Sequence, residues 1–250
     1  MGKTLESHVT RFVRRLGFDL RLYRPASSES AQLMKILSVH RINLVFDVGA
    51  NAGHFGQYLR DAGYRGRIVS FEPLATPWEG LLEASRKDPL WEVAPRAAIG
   101  SDEGEVDIHV ARNSVSSSIL AMHDAHTKAA PASGYIGKER VSIRRLDSLA
   151  LEYLHSDSVP FLKIDTQGYE NEVLSGADRI MDRIVGIQLE LSLVPLYRGQ
   201  RLWDDLTECL KRLGFELWAM SPVLVDPQSG RLLQYDATFF RCSQKKTAHE

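Results

Sequence analysis

Cysteine is almost absent: Cys209 and Cys242 are the only two in 250 residues, and they form neither a CxxC pair nor a metal-ligand spacing. That usage points to a reducing, cytoplasmic setting and offers no cysteine-built metal site. Long apolar runs are missing too, at the N-terminus and elsewhere, so neither a secretory leader nor an integral membrane segment is expected. Charge of one sign is not in excess. With 31 basic and 32 acidic residues the net charge is −1, which gives no reason to expect nucleic acid as a partner. Two phosphate-binding motifs are also lacking. The glycines at 49, 53 and 56 are spaced GxxxGxxG rather than GxGxxG, and Gln57 and Tyr58 stand where a P-loop needs Lys and Ser or Thr. No pyrophosphate cradle is indicated.

What is present is FDVGANAGHFG, Phe46 to Gly56, in which an apolar strand runs through Asp47 into a glycine-rich turn and then a helix. Glycine lets backbone turn sharply and approach a ligand closely. The next apolar run, Ile68 to Phe71, ends in Glu72 and Pro73, with Glu72 25 residues after Asp47. At about that spacing the second strand of a doubly wound sheet offers a carboxylate to a ribose.

The pattern predicts alternating elements: strand 43–48, helix 54–62, strand 67–71, helix 78–86 and strand 91–94. Such alternation argues for a doubly wound, Rossmann-like α/β sheet with helices on both faces. Phe215 to Met220 and Asp236 to Arg241 read as a closing antiparallel hairpin at one edge. Between alternating segments at 104–110 and 140–145 lies a stretch from Asn113 to Lys138 rich in small residues. Loops that long are usually functional, and this one is expected to be a mobile lid. Its neighbourhood carries His109, His123 and His126, which the loop setting marks as solvated. Residues 1–41 form a helical, partly basic appendage with apolar Leu16, Phe18, Leu20, Leu22 and Tyr23; a lid or homodimer contact, a solvated arm and a membrane-surface element stay open. The domain proper is expected at 42–243, with a polar tail at 244–250.

The logic of the first motif repeats at Phe161 to Glu170: apolar strand, Asp165, then Thr-Gln-Gly-Tyr-Glu. Glu190 closes a further apolar run from Ile184. Any one of these acids could merely cap a helix. Four of them, Asp47, Glu72, Asp165 and Glu190, at successive strand ends point instead to the crevice where such sheets bind ligands.

With VFDVGANAGHFG, SFEP (70–73), AAIGSDEGEV (97–106), Ser116 to Ser118, RLDSL (145–149), FLKIDTQGYE (161–170) and LSGA (174–177) on the page, the chain resembles the FkbM family of S-adenosylmethionine-dependent O-methyltransferases over roughly residues 42 to 220. It departs from the family at Gly56, usually Ser or Thr, and at Gln167, often Glu. The resemblance implies methyl transfer to a hydroxyl of a small-molecule or glycan acceptor, such as a sugar, glycolipid or polyketide. S-adenosylmethionine would bind at Asp47, Gly49, Ala50, Asn51, Gly53, Glu72, Pro73, Ala97, Ala98 and Asp165. A base is then needed to take the hydroxyl proton. Asp165 and Glu190 lead, followed by Glu170 and His54, and no metal is assigned. A non-catalytic cofactor-binding module and an NAD-dependent oxidoreductase are the alternatives.

Overall fold

The computed structural model describes residues 10–18, 20 and 22–242, so the polar tail expected at 244–250 lies outside the described residues. The chain divides into two units, residues 1–40 and 41–250. Residues 10–15 of the first unit are helical, and a second helix, α1 (Glu29–Val39), starts where the Ser28 side chain accepts the Ala31 amide. A serine there satisfies an amide that the first turn leaves without an intrahelical partner.

The second unit is built on a seven-stranded sheet. In chain order its strands are β1 (Leu44–Val48), β2 (Arg67–Phe71), β3 (Trp91–Val93), β7 (Pro160–Ile164), β8 (Gly186–Ser192), β9 (Phe215–Val225) and β10 (Leu232–Arg241). They lie in the order β3-β2-β1-β7-β8-β10-β9. The first five are parallel, and β10 runs antiparallel to both β8 and β9. The doubly wound sheet with an antiparallel edge hairpin is therefore as the sequence pattern predicts. Central strands β1, β7 and β8 are buried at every residue, which is why they read as unbroken apolar runs rather than alternating ones. Helices α2 (His54–Asp61) and α3 (Ala75–Ser85) join β1, β2 and β3. Helix α6 (Glu170–Ser175) follows β7, and α7 (Trp203–Arg212) precedes β9. The amphipathic α7 buries Leu206 and Leu210, with acids in its first turn and bases in its last, both favourable against the helix dipole.

One part departs from expectation. The chain between β3 and β7 does not continue the main sheet but forms a second one, from β4 (Ala98–Gly100), β5 (Gly104–Ala111) and β6 (Tyr135–Arg145) in the order β4-β6-β5. Strand β4 has only three residues, too few for alternation to be read from sequence. The connection from β5 to β6 is not structureless either. It holds α4 (Asp124–Ala129) and a 3-10 turn at Pro131–Ser133. The short α5 (Leu146–Ala150) that follows β6 carries the RLDSL acid, Asp147, which pairs with Arg145 at 3.0 Å and Arg179 at 3.2 Å. This motif ties the second sheet to the turn after α6, because Arg145 also donates to the Ser101 and Ser175 carbonyls.

Strand order reverses between β1 and β7: the chain runs outward from β1 to β3, then returns to the other flank of β1. In such sheets the crevice opens at that switch point, beyond the carboxyl ends of the strands. The turns after β1 and β7 meet there.

Candidate active site at the strand switch point

Register places the acids. Asp47 lies across from Ser70 on one side and Lys163 on the other, so Glu72 and Asp165 follow two positions further on along the strands that flank β1. The β1 turn then presses on the β7 turn. Gly49 has φ +79°, and a Cβ there would stand 1.8 Å from the Asp165 carbonyl oxygen. The missing side chain makes room for the neighbouring backbone. At Gly53 and Gly56 a Cβ would meet the Trp91 ring instead, at 3.1 and 2.2 Å. These glycines thus also fit the turn to the protein beneath it, a role the sequence did not show. The Trp91 ring leaves no room for a Ser or Thr side chain at 56.

The four strand-end acids do gather at one end of the sheet, but they differ in what they face. Asp47 is fully buried, accepting from Ser70 Oγ at 3.2 Å and pairing with Lys163 Nζ at 3.6 Å. Glu72 is buried with each oxygen taking a backbone amide, Asn51 at 2.8 Å and Leu74 at 2.9 Å. Burial pushes its carboxyl up to about 7. Glu190 is buried and accepts from the amides of Gln167 at 2.7 Å and Gln234 at 2.9 Å. Desolvation, with Asp165 and Asp236 nearby, raises its pKa well above the ordinary carboxylate range. Asp165 alone stays open, its side chain 31 % exposed. One of its oxygens accepts from Gln167 Nε2 at 2.7 Å and the other from Lys163 Nζ at 3.3 Å.

Lys163, which sequence reasoning passed over, stands among these acids. It is buried between Asp47 and Asp165 with its ammonium 5.3 Å from the Phe55 ring centroid. Two of the acids are therefore compensated. The two carboxylates raise its pKa despite its burial, so the cation persists.

The remaining candidates separate in the same way. Glu170 is buried, and a single oxygen accepts from the Thr166 amide at 3.1 Å and the Gly168 amide at 3.0 Å. It fastens the turn that carries Gln167 in a left-handed conformation, φ 54°. His54 is exposed at the first residue of α2. Asn51, also left-handed at φ 48°, and Ala52 are half-buried on the turn, while Ala50 and Gly53 are buried. Pro73 is half-buried, its carbonyl accepting from Arg96 at 3.1 Å. Ala97 and Ala98 are buried at the start of the second sheet. Among the described residues no group of three or more His, Cys, Asp or Glu is placed to hold a metal ion.

Glu170 gives a pH signature. Burial raises its carboxyl to about 7 from 4.5, so its proton contributes stability that is complete below the lower value and lost as pH rises through the higher one. Glu170→Gln keeps the accepting oxygen and removes the titration. The stability difference between parent and variant is expected to shift against the parent by about 2–3 kcal/mol from about pH 5 to about pH 8. Urea unfolding of both proteins at several pH values measures it; parallel curves would contradict the assignment.

Sequence reasoning also missed a buried chain of polar groups running into this site from the middle segment. Tyr197 donates to Gln167 Oε1 at 2.5 Å, and His126 Nε2 lies 3.2 Å from the same hydroxyl. Ser133 Oγ lies 2.9 Å from His126 Nδ1. Ser118 donates to the Gln167 carbonyl at 2.7 Å, and Ser114 contacts the Asn51 side chain at 3.2 Å. His126 is buried, contrary to the expectation for a loop histidine, and burial lowers its pKa. The serine cluster at 116–118 was the visible signal, though what it anchors was not.

S-adenosylmethionine fits these residues. Each Glu72 oxygen has a lone pair beyond its backbone bond, suited to ribose hydroxyls. The half-open turn at Asn51 and Ala52 is built of small side chains, and Lys163, already paired with two carboxylates, is not offered to a pyrophosphate.

Known proteins resemble the chain in sequence or in fold. The profile of the Methyltransferase FkbM domain matches residues 47–217. A stretch of the antimetabolite synthetase AmbE of Pseudomonas aeruginosa is 28 % identical over 212 residues, covering 73 % of this chain. The chain spans about a tenth of that relative's length, 10 %. Among solved structures, a putative RNA methyltransferase, PH1948, of Pyrococcus horikoshii matches with TM-score 0.46 and 11 % identity over 86 % of this chain and 83 % of that one. Magnesium protoporphyrin IX methyltransferase of Synechocystis with bound S-adenosylmethionine matches with TM-score 0.43 and 9 % identity over 85 % and 79 %.

Proposed function

Because the chain belongs to the FkbM methyltransferase family, and is with it an S-adenosylmethionine-dependent methyltransferase, we propose that it methylates a hydroxyl oxygen of a sugar, glycolipid or polyketide-type acceptor. The observation that carries this reading is Asp165: of the four acids it alone keeps a partly exposed side chain, 31 %. A hydroxyl is a weak nucleophile until its proton is being removed, and a placed carboxylate can accept that proton. The likeness to a stretch of an antimetabolite synthetase supports a small-molecule acceptor.

When bound, the cofactor supplies an electrophilic methyl on a cationic sulfonium. Glu72 and the Asn51 turn take its nucleoside end. Asp165 receives the acceptor hydroxyl and its proton, with Gln167 and Lys163 fixing the two carboxylate oxygens. Glu190, buried and accepting from two side-chain amides, orients Gln167 rather than serving as the base, and Glu170 holds the turn. The segment from Asn113 to Lys138 covers the acceptor and excludes water, which alignment for an in-line displacement requires. We take residues 1–41 as an appendage and residues 42–243 as the catalytic domain.

The test uses cofactor labelled with ¹³C in its methyl group and a panel of hydroxylated glycans, glycolipids and polyketides. Label appearing as a methoxy carbon on an acceptor supports the proposal. Label only on nitrogen or carbon acceptors would overturn it, and cofactor binding without transfer to any of the panel would favour a non-catalytic module.

A further inference from the structure

The surface ahead of α1 lies outside the family match at 47–217, and nothing in the methyl-transfer site uses it. Its charge is unlike that of the rest of the chain. Between Thr10 and Arg24 stand Arg11, Arg14, Arg15, Arg21 and Arg24 against one acid, Asp19, a net +4 in a chain whose total is −1. In the same stretch Phe12, Leu16, Phe18, Leu20, Leu22 and Tyr23 are 55–69 % exposed. Arg11, Arg14, Arg15 and Arg24 are exposed beside them.

Scattered exposed apolar residues are ordinary, but six large ones within twelve positions, 12 to 23, mark a contact surface. The interleaved guanidinium groups narrow the choice of partner. A second copy of the arm would bring +4 against +4. A nucleic acid would satisfy the arginines and leave Leu16, Leu20 and Leu22 in water. An anionic lipid surface satisfies both sets at once, with aliphatic and aromatic groups below the headgroups and guanidinium groups at the phosphates. We propose that residues 10–24 dock this enzyme on the surface of membranes containing anionic lipids. Attachment is peripheral: among the described residues no helix is long and apolar enough to cross a membrane. Each arginine near such a surface adds attraction that salt screens.

The test is sedimentation of the full chain with vesicles of phosphatidylcholine alone and of phosphatidylcholine containing phosphatidylglycerol. Binding is expected to the second kind only, and to fall as salt is raised. Arg14→Glu combined with Arg15→Glu removes four units of charge and is expected to weaken binding roughly tenfold or more. Phe18→Ser combined with Leu20→Ser, which leaves the charge intact, should also lose binding. Both variants should bind S-adenosylhomocysteine as the parent does, which separates loss of the contact from loss of the fold. Absence of binding to either vesicle, or equal binding to both that ignores salt and the arginine pair, would overturn the proposal. So would self-association, or retention of an RNA, that depends on the same residues without vesicle binding.

Discussion

Asp165→Asn is expected to lower methyl transfer by about 10²–10⁴-fold, the usual effect of removing a placed general base, while cofactor affinity stays within a few-fold of the parent. Asparagine keeps the shape and can still accept from Gln167, which donates at 2.7 Å, so the fold should survive. Glu190→Gln is the matched control. Burial raises the Glu190 carboxyl well above the ordinary range, and the substitution keeps the side chain neutral while leaving an oxygen for Gln234. Turnover at neutral pH should therefore stay near the parental level. Single-turnover rates with cofactor saturating compare the two. If Asp165→Asn transfers methyl at the parental rate and Glu190→Gln does not, the base has been assigned to the wrong carboxylate.

The second large effect is on the fold. Gly49→Ala places a methyl 1.8 Å from the Asp165 carbonyl oxygen at a residue whose φ is +79°. The added carbon is fixed rigidly to the Gly49 backbone and the carbonyl is itself backbone, so neither can swing away, and the β1 and β7 turns would have to part. A cost above about 4 kcal/mol is expected, beyond what most single substitutions produce. Gly230→Ala isolates the conformational part. Gly230 has φ +72° with nothing within 4 Å of the added carbon, so only the left-handed penalty of about 1–2 kcal/mol applies. Denaturant unfolding of both variants gives the difference. Similar costs at the two positions would mean that the turns are not in contact.

Both predictions rest on the same feature, and the sequence shows only half of it. Fully apolar strands closed by an acid were legible because burial on both faces leaves no alternation, and acid-then-glycine marks where each strand turns. That placed Asp47, Glu72, Asp165 and Glu190 at one end of the sheet. Which of them meets solvent was not legible, because the answer depends on partners distant in the chain. Asp47 is closed off by Lys163, 116 positions later in the numbering. Glu190 is occupied by Gln167 and Gln234. Glu72 reaches back to the Asn51 amide. The middle segment read as a mobile loop because its anchors, Ser118, His126 and Ser133, are single polar side chains whose worth comes from burial, which composition does not report. The second sheet escaped notice because β4 is three residues long and pairs with a strand more than forty residues away.

The central claim is that the crevice over β1, β2 and β7 is an S-adenosylmethionine site. Calorimetric titration of the full chain with S-adenosylhomocysteine, and separately with NAD, tests it most directly. Saturable one-to-one binding of S-adenosylhomocysteine with no heat from NAD is the predicted result. Binding of NAD in its place, or of neither ligand by the folded protein, would contradict it.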